Sequence, residues 1–171
     1  MLIKLEELVN KKIFNLYLPQ AILIDAPCLL VCRKQLYKDK FCNNLAQIND
    51  LEYCLITPQI LSVKYQRNKE DVSALVMAEI DDLLQEKISI TEHLTFSDIN
   101  CAEAIADAFI RPTLNRDNGD INILSLSEGQ MQIEFTGHCS GCPYAQNTLQ
   151  NIIMKVFMRY MPTIKQITLK E

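Results

Sequence analysis

Thr136-Gly137-His138-Cys139-Ser140-Gly141-Cys142-Pro143 is the stretch whose reading decides the fold. An alternating run, Met131 to Phe135, precedes it, and an amphipathic run, Tyr144 to Met161, follows. A strand that turns sharply through Cys-x-x-Cys into a helix presents both thiols at the positive end of the helix dipole. Unpaired amides there favour thiolate over thiol. Gly141 permits the tight backbone, and Pro143 fits a first helical turn, where its missing N–H costs nothing. Two thiolates so placed can form a reversible disulfide, supply half of a tetrahedral zinc site, or supply half the ligands of an iron–sulfur cluster. The spacing alone leaves all three open. His138 reads as a surface or loop-packing residue, because adjacent residues rarely both reach one metal with good geometry.

Working outward, Ser97 or Asp98 caps a predicted helix through Ile99, Ala102, Ile105, Ala106 and Phe109, with Cys101 beside that stripe as a packing residue. Pro112 is expected to kink or thin the helix near its end. Asp117 to Asp120 is a turn in which Asn118-Gly119 supplies the positive-φ positions. Ile121 to Leu126 and Met131 to Phe135 form a hairpin across Ser127-Glu128-Gly129. The helix after the cysteines buries Ala145, Leu149, Ile152, Ile153, Val156 and Phe157, Pro162 ends it, and Ile164 to Leu169 is a last strand.

This order, with Ile110-Arg111-Pro112, Asp117-Asn118-Gly119-Asp120 and the T-G-x-C-S-G-C-P string, closely resembles the NifU C-terminal-like (Nfu) domain of iron–sulfur cluster carriers. The likeness runs from about Asp98 to Leu169. Asn118 stands where that family usually has glycine, and Tyr144 where a small residue is common; neither departure removes a ligand. The first half resembles the Nfu N-terminal domain in its order of elements, without the proline-rich opening common there. The expected organisation is therefore α+β: two small α/β-sandwich domains, the second α-β-β-α-β with a three-stranded sheet. Residues 1–88 form the first domain, 89–97 a linker and 98–171 the cluster-binding domain.

In the first half, Ile13 to Leu18, Ala21 to Ile24 and Leu29 to Cys32 read as strands, and Leu36 to Ile48 as a helix. Tyr53 to Thr57 and Ile60 to Tyr65 read as a hairpin around Pro58-Gln59. Asp71 to Gln85 reads as an amphipathic helix with Val72, Leu75, Val76, Ile80, Leu83 and Leu84 on one stripe. Cys28, Cys32, Cys42 and Cys54 fall on unrelated elements and read as packing residues. Lys87 to Phe96 loses periodicity and holds His93, to which no role is assigned.

Composition narrows the classes. With 49% hydrophobic and 22% charged residues, the 171-residue chain reads as globular. The net charge is −4 with no basic block, which argues against nucleic-acid binding. Ala21 to Ile24 is cut by Asp25, and no apolar run approaches a membrane span. Seven cysteines without a secretory pattern read as reduced intracellular thiols, in the bacterial cytoplasm or, for a processed eukaryotic protein, the mitochondrial matrix.

Each chain offers two well-placed thiolates, whereas a common cluster takes four, so sharing across two chains is the economical arrangement. The resemblance implies the same: a [4Fe-4S] cluster held by Cys139 and Cys142 from each of two protomers of a homodimer. Upstream cluster-assembly proteins would donate it and apo iron–sulfur proteins receive it, with no enzymatic step and no catalytic residue. A thiol–disulfide oxidoreductase and a structural zinc site are the readings to be separated from this one.

Overall fold

The structure is a computed structural model. It describes the chain except residues 1–2, 9–10, 25, 87–88, 91–98, 142 and 171, and except the side chains at 141, 143–146, 148 and 149. Two compact units, Met1–Leu94 and Thr95–Glu171, divide it. Helices and strands occur in both, so the class is α+β.

The first unit is built from β1 (Lys4–Leu8), β2 (Ile13–Tyr17), β3 (Leu23–Ile24), β4 (Leu29–Cys32), α1 (Lys40–Gln47), β5 (Leu51–Ile56), β6 (Ile60–Tyr65), α2 (Lys69–Glu86) and β7 (Ser89–Ile90). Its main sheet runs β1-β2-β6-β5-β4, every neighbour antiparallel. Strand alternation sets Phe14 and Leu16 beside Val63 and Leu61, these beside Cys54 and Ile56, and those beside Val31 and Leu29, all buried on one continuous apolar face. The helix begins later than Leu36: Asp39 caps α1 by accepting the Cys42 N–H at 3.0 Å, and Leu36 stays outside it, 88% exposed. Leu75 likewise leaves the expected stripe of α2 for solvent, while Val72, Val76, Ile80, Leu83 and Leu84 are buried. Within the segment read as losing periodicity, Ser89–Ile90 pairs in parallel with Leu23–Ile24, and Ile90 is buried. His93 lies outside the described residues.

The second unit runs α3 (Ile99–Phe109), α4 (Arg111–Leu114), a 3-10 turn (Asn115–Asp117), β8 (Gly119–Ser127), β9 (Gln130–Gly137), a second 3-10 turn (His138–Gly141), α5 (Pro143–Tyr160) and β10 (Gln166–Leu169). Pro112 does not kink one helix; it sits in the first turn of a new one, α4, after the chain turns at Ile110. The sheet order is β10-β9-β8, with β8 antiparallel and β10 parallel to β9. Glu128 and Gly129 both take positive φ, 52° and 81°, the signature of a two-residue hairpin turn whose twist matches the strands. On the inner face Ile121, Ile123, Met131, Ile133, Phe135 and Ile167 are buried, and Ile153 and Phe157 of α5 are buried with them. Ile152 instead points to solvent, and Val156 is half-buried. Phe109 of α3 stacks on Tyr160 of α5 with ring centroids 4.2 Å apart. The Gln150 amide of α5 donates to the Ile167 carbonyl of β10 at 2.6 Å.

Candidate functional site

β8 and β9 end together. Their register sets Gly119 opposite Gly137, and two residues further on the chain reaches Cys139. Gly137 has φ +65°, and a Cβ there would run into the Asn118 carbonyl oxygen, so both dihedral and space demand glycine. Asn118 takes the left-handed conformation, φ 54°, as its side chain allows. Gly119 does not share it: its φ lies outside the positive region, and its requirement is space alone. The His138 N–H donates to the Asn118 carbonyl at 3.2 Å, and the Ser140 hydroxyl to the Gly137 carbonyl at 2.8 Å. These bonds fold the 3-10 turn back over the start of β8 before α5 begins. The His138 side chain is exposed.

Cys139 is sheltered by this turn, with 9% of its surface exposed. Its sulfur lies against the Cα of Gly119, where a Cβ would overlap it. The thiol is pushed up from its ordinary pKa, first by burial and then by the negative charges of Asp117 and Asp120. That direction is opposite to the one expected from a helix start. The reason is positional: Cys139 sits in the 3-10 turn, short of α5, beside two carboxylates. Iron would reverse it, because a coordinating thiol is deprotonated by the metal's own charge. Cys142, the other expected ligand, lies outside the described residues.

The remaining cysteines are elsewhere. Cys28, Cys42, Cys54 and Cys101 are buried, and Cys32 is half-buried at the end of β4, its N–H donating to the Tyr37 hydroxyl at 2.7 Å. Burial raises the Cys54 thiol strongly. None of the five belongs to the β8–β9 end.

Sequence reasoning missed the residue that fixes this corner from beneath. Arg111, 3% exposed, donates from Nη1 to Asp107 Oδ1 at 2.6 Å, from Nε to Asp120 Oδ1 at 3.1 Å, and from Nη2 to the Ile121 carbonyl at 3.0 Å. Nη2 also pairs with Glu103 Oε2 at 2.6 Å. Burial opposes the guanidinium charge, but Asp107 and Glu103 more than offset it, so its pKa is raised. One planar fork thus ties α3 and α4 to the first residues of β8, a geometry that lysine cannot reproduce. Its signal was in the sequence: Glu103, Asp107 and Arg111 recur every four residues among apolar neighbours, across α3 and the start of α4.

Among the described residues no helix is long and apolar enough to cross a membrane. Residues 103–168 match the NifU-like domain family. Over 63 residues the chain is 33% identical to the "NFU1 iron-sulfur cluster scaffold homolog, mitochondrial" of Drosophila grimshawi, covering 37% of this chain and 21% of that protein. The protein of the same description from Drosophila persimilis is also 33% identical over 63 residues, with 22% of its length covered. The match therefore spans only about a fifth of these curated relatives. Among solved structures, the crystal structure of protein SAV1430 from Staphylococcus aureus aligns over 47% of this chain and 99% of its own, at 17% identity and a TM-score of 0.38. The residues similar to the NifU-like domain, 103–168, take in the whole β8–β9 corner.

Proposed function

We propose that this protein is an iron–sulfur cluster carrier. Cys139 and Cys142 of two chains together hold one [4Fe-4S] cluster as cargo, and the pair of chains hands it to apo iron–sulfur proteins. The observation that carries the reading is the placing of Cys139 at the shared end of β8 and β9, inside a NifU-like domain. The scaffold proteins matched are named for iron–sulfur clusters, and four thiolates suit one such cluster. No step of the reading needs a catalytic base or nucleophile.

The first unit is read as an Nfu N-terminal-like domain that governs docking of donor or recipient proteins. The compartment is the bacterial cytoplasm, or the mitochondrial matrix for a processed eukaryotic protein.

The test is a serine series in the full chain under anaerobic iron and sulfide. Cys139→Ser and Cys142→Ser should each remain folded and lose the brown colour, since each removes two of four thiolates from a symmetric site. Serine at Cys28, Cys32, Cys42, Cys54 or Cys101 should keep the colour, at a cost of about 1–2 kcal/mol of stability where the hydroxyl is buried. If Cys28 or Cys32 behaves like Cys139, the ligands are drawn from both halves of one chain and the shared site is wrong. A colourless protein holding zinc, or one that turns over disulfides without metal, would support the zinc or oxidoreductase reading instead.

A further inference from the structure

The start of β8 does more than end a turn. Gly119 is buried, and a Cβ built on it would overlap the Cys139 sulfur while standing 3.3 Å from the Cys139 Cβ and 3.5 Å from the Leu114 carbonyl oxygen. Its φ lies outside the left-handed region, so alanine could take up this backbone without dihedral strain. What excludes a side chain is therefore chiefly one atom, the sulfur of a residue twenty positions along the chain.

The backbone on either side of that sulfur is held in place by hydrogen bonds. Beneath the seat, Asp120 Oδ1 accepts the Ile121 N–H at 2.8 Å and the Arg111 Nε–H at 3.1 Å, locking the first residues of β8 to α4. Beside it, the Gly137 Cα approaches the Asn118 carbonyl too closely for any Cβ, and the His138 N–H is bonded to that same carbonyl. Both passages of backbone around Cys139 are fixed by hydrogen bonds. A methyl group on Gly119 is therefore met by turning the Cys139 sulfur away about its own side-chain bond.

We propose that Gly119 is a positioning residue for the Cys139 thiol: its bare Cα is the seat that fixes where this sulfur stands, and any side chain there expels it. The proposal rests on the reading of Cys139 as a cluster ligand. A ligand held within about 0.5 Å of its productive position binds, and one displaced by an ångström does not, so the seat sets cluster binding without touching the cluster.

The experiment uses the full chain as parent, Gly119→Ala, Cys139→Ala and the double variant. In apo-protein, Gly119→Ala should lower the melting temperature in the parent background, and most of that loss should vanish in the Cys139→Ala background, where the colliding sulfur is gone. If Gly119→Ala alone fails to fold, recovery of folding in the double variant gives the same answer. An equal loss in both backgrounds overturns the seat. Iodoacetamide labelling of Cys139, read by peptide mass, should be faster in Gly119→Ala than in the parent, because the thiol leaves its shelter; an unchanged rate also overturns it. Given iron and sulfide anaerobically, Gly119→Ala should lose the visible absorption that the parent gains. Equal absorption in the two overturns the positioning role. A parent that gains none, with melting and labelling as expected, keeps the seat and overturns the carrier reading.

Discussion

Replacing Arg111 by methionine isolates the guanidinium fork, because methionine keeps much of the stem's volume while removing every donor. Arg111 and Asp107 side chains are each 4% exposed, and their Nη1–Oδ1 distance is 2.6 Å. Removing one member of such a buried pair costs about 3–5 kcal/mol, since the other charge stays out of water. Glu103 and Asp120 are 37% and 24% exposed, so water can replace part of what they lose. The low end, about 3 kcal/mol, is therefore the expected loss for the second unit. Adding Asp107→Leu removes the stranded carboxylate and should restore most of it. Amide hydrogen exchange in the full chain reads this unit separately from the first. Amides of β8 and β9 that exchange through opening of the unit should speed up by roughly a hundredfold in Arg111→Met, given tenfold per 1.4 kcal/mol. The double variant should return close to the parent. Unchanged β8 exchange in the single variant, or a double variant worse than the single, would refute the assignment of Arg111 as the fastening of this corner.

Other consequences follow from local geometry. Glu7 is held below the usual carboxylate range, chiefly by its hydrogen bond from Lys69 at 2.7 Å and also by the Tyr65 hydroxyl at 3.0 Å. A depressed folded pKa gives stability that is present above the unfolded value, about 4.3, and lost as pH falls through the folded value. Glu7→Gln should thus cost up to about 1 kcal/mol at neutral pH in the first unit, with the gap from the parent closing in acid urea titrations; a gap that widens there contradicts it. Glu128 occupies the first positive-φ position of the β8–β9 turn, where asparagine is better suited. Glu128→Asn should raise thermal stability by about 0.5 kcal/mol, and a loss would show that the side chain has a further contact. Gly137→Ala combines a positive φ with a backbone collision and should destabilise the second unit by more than about 1 kcal/mol on urea unfolding, with no rescue from Cys139→Ala.

Long elements with a clean period were legible. The runs at Ile13 to Leu18, Ile60 to Tyr65 and Asp71 to Gln85 declare themselves by alternation or by a 3.6-residue stripe; the last two fall within observed elements, and the first overruns β2 by one residue. β1 was not legible, because Lys4, Glu6 and Glu7 give Lys4–Leu8 no apolar alternation and it is held at the sheet edge by pairing with β2. β7 is two residues long and exists through its partner, Leu23–Ile24. Helix stripes were overcounted where an apolar residue lies just past the contact face, as with Leu75 and Ile152, or before the cap, as with Leu36. The Cys-x-x-Cys string singled out Cys139 as a candidate, but not its shelter. Its surroundings come from residues far apart in the chain: Gly119 lies against the sulfur, the charges of Asp117 and Asp120 act on the thiol, and Arg111 holds Asp120. Sequence reading assigned Gly119 a dihedral role, and the close approach that explains it appears only once β8 and β9 are paired.

The central claim is that two chains share one cluster. Anaerobic reconstitution of the full chain, followed by iron, sulfide and native mass measurement on the same sample, addresses it directly. The account predicts a species of two chains carrying about four iron and four sulfide, which falls apart to colourless protein when the cluster is removed by acid or chelator. A single chain retaining a complete cluster, or a two-chain species that carries only zinc, would contradict it.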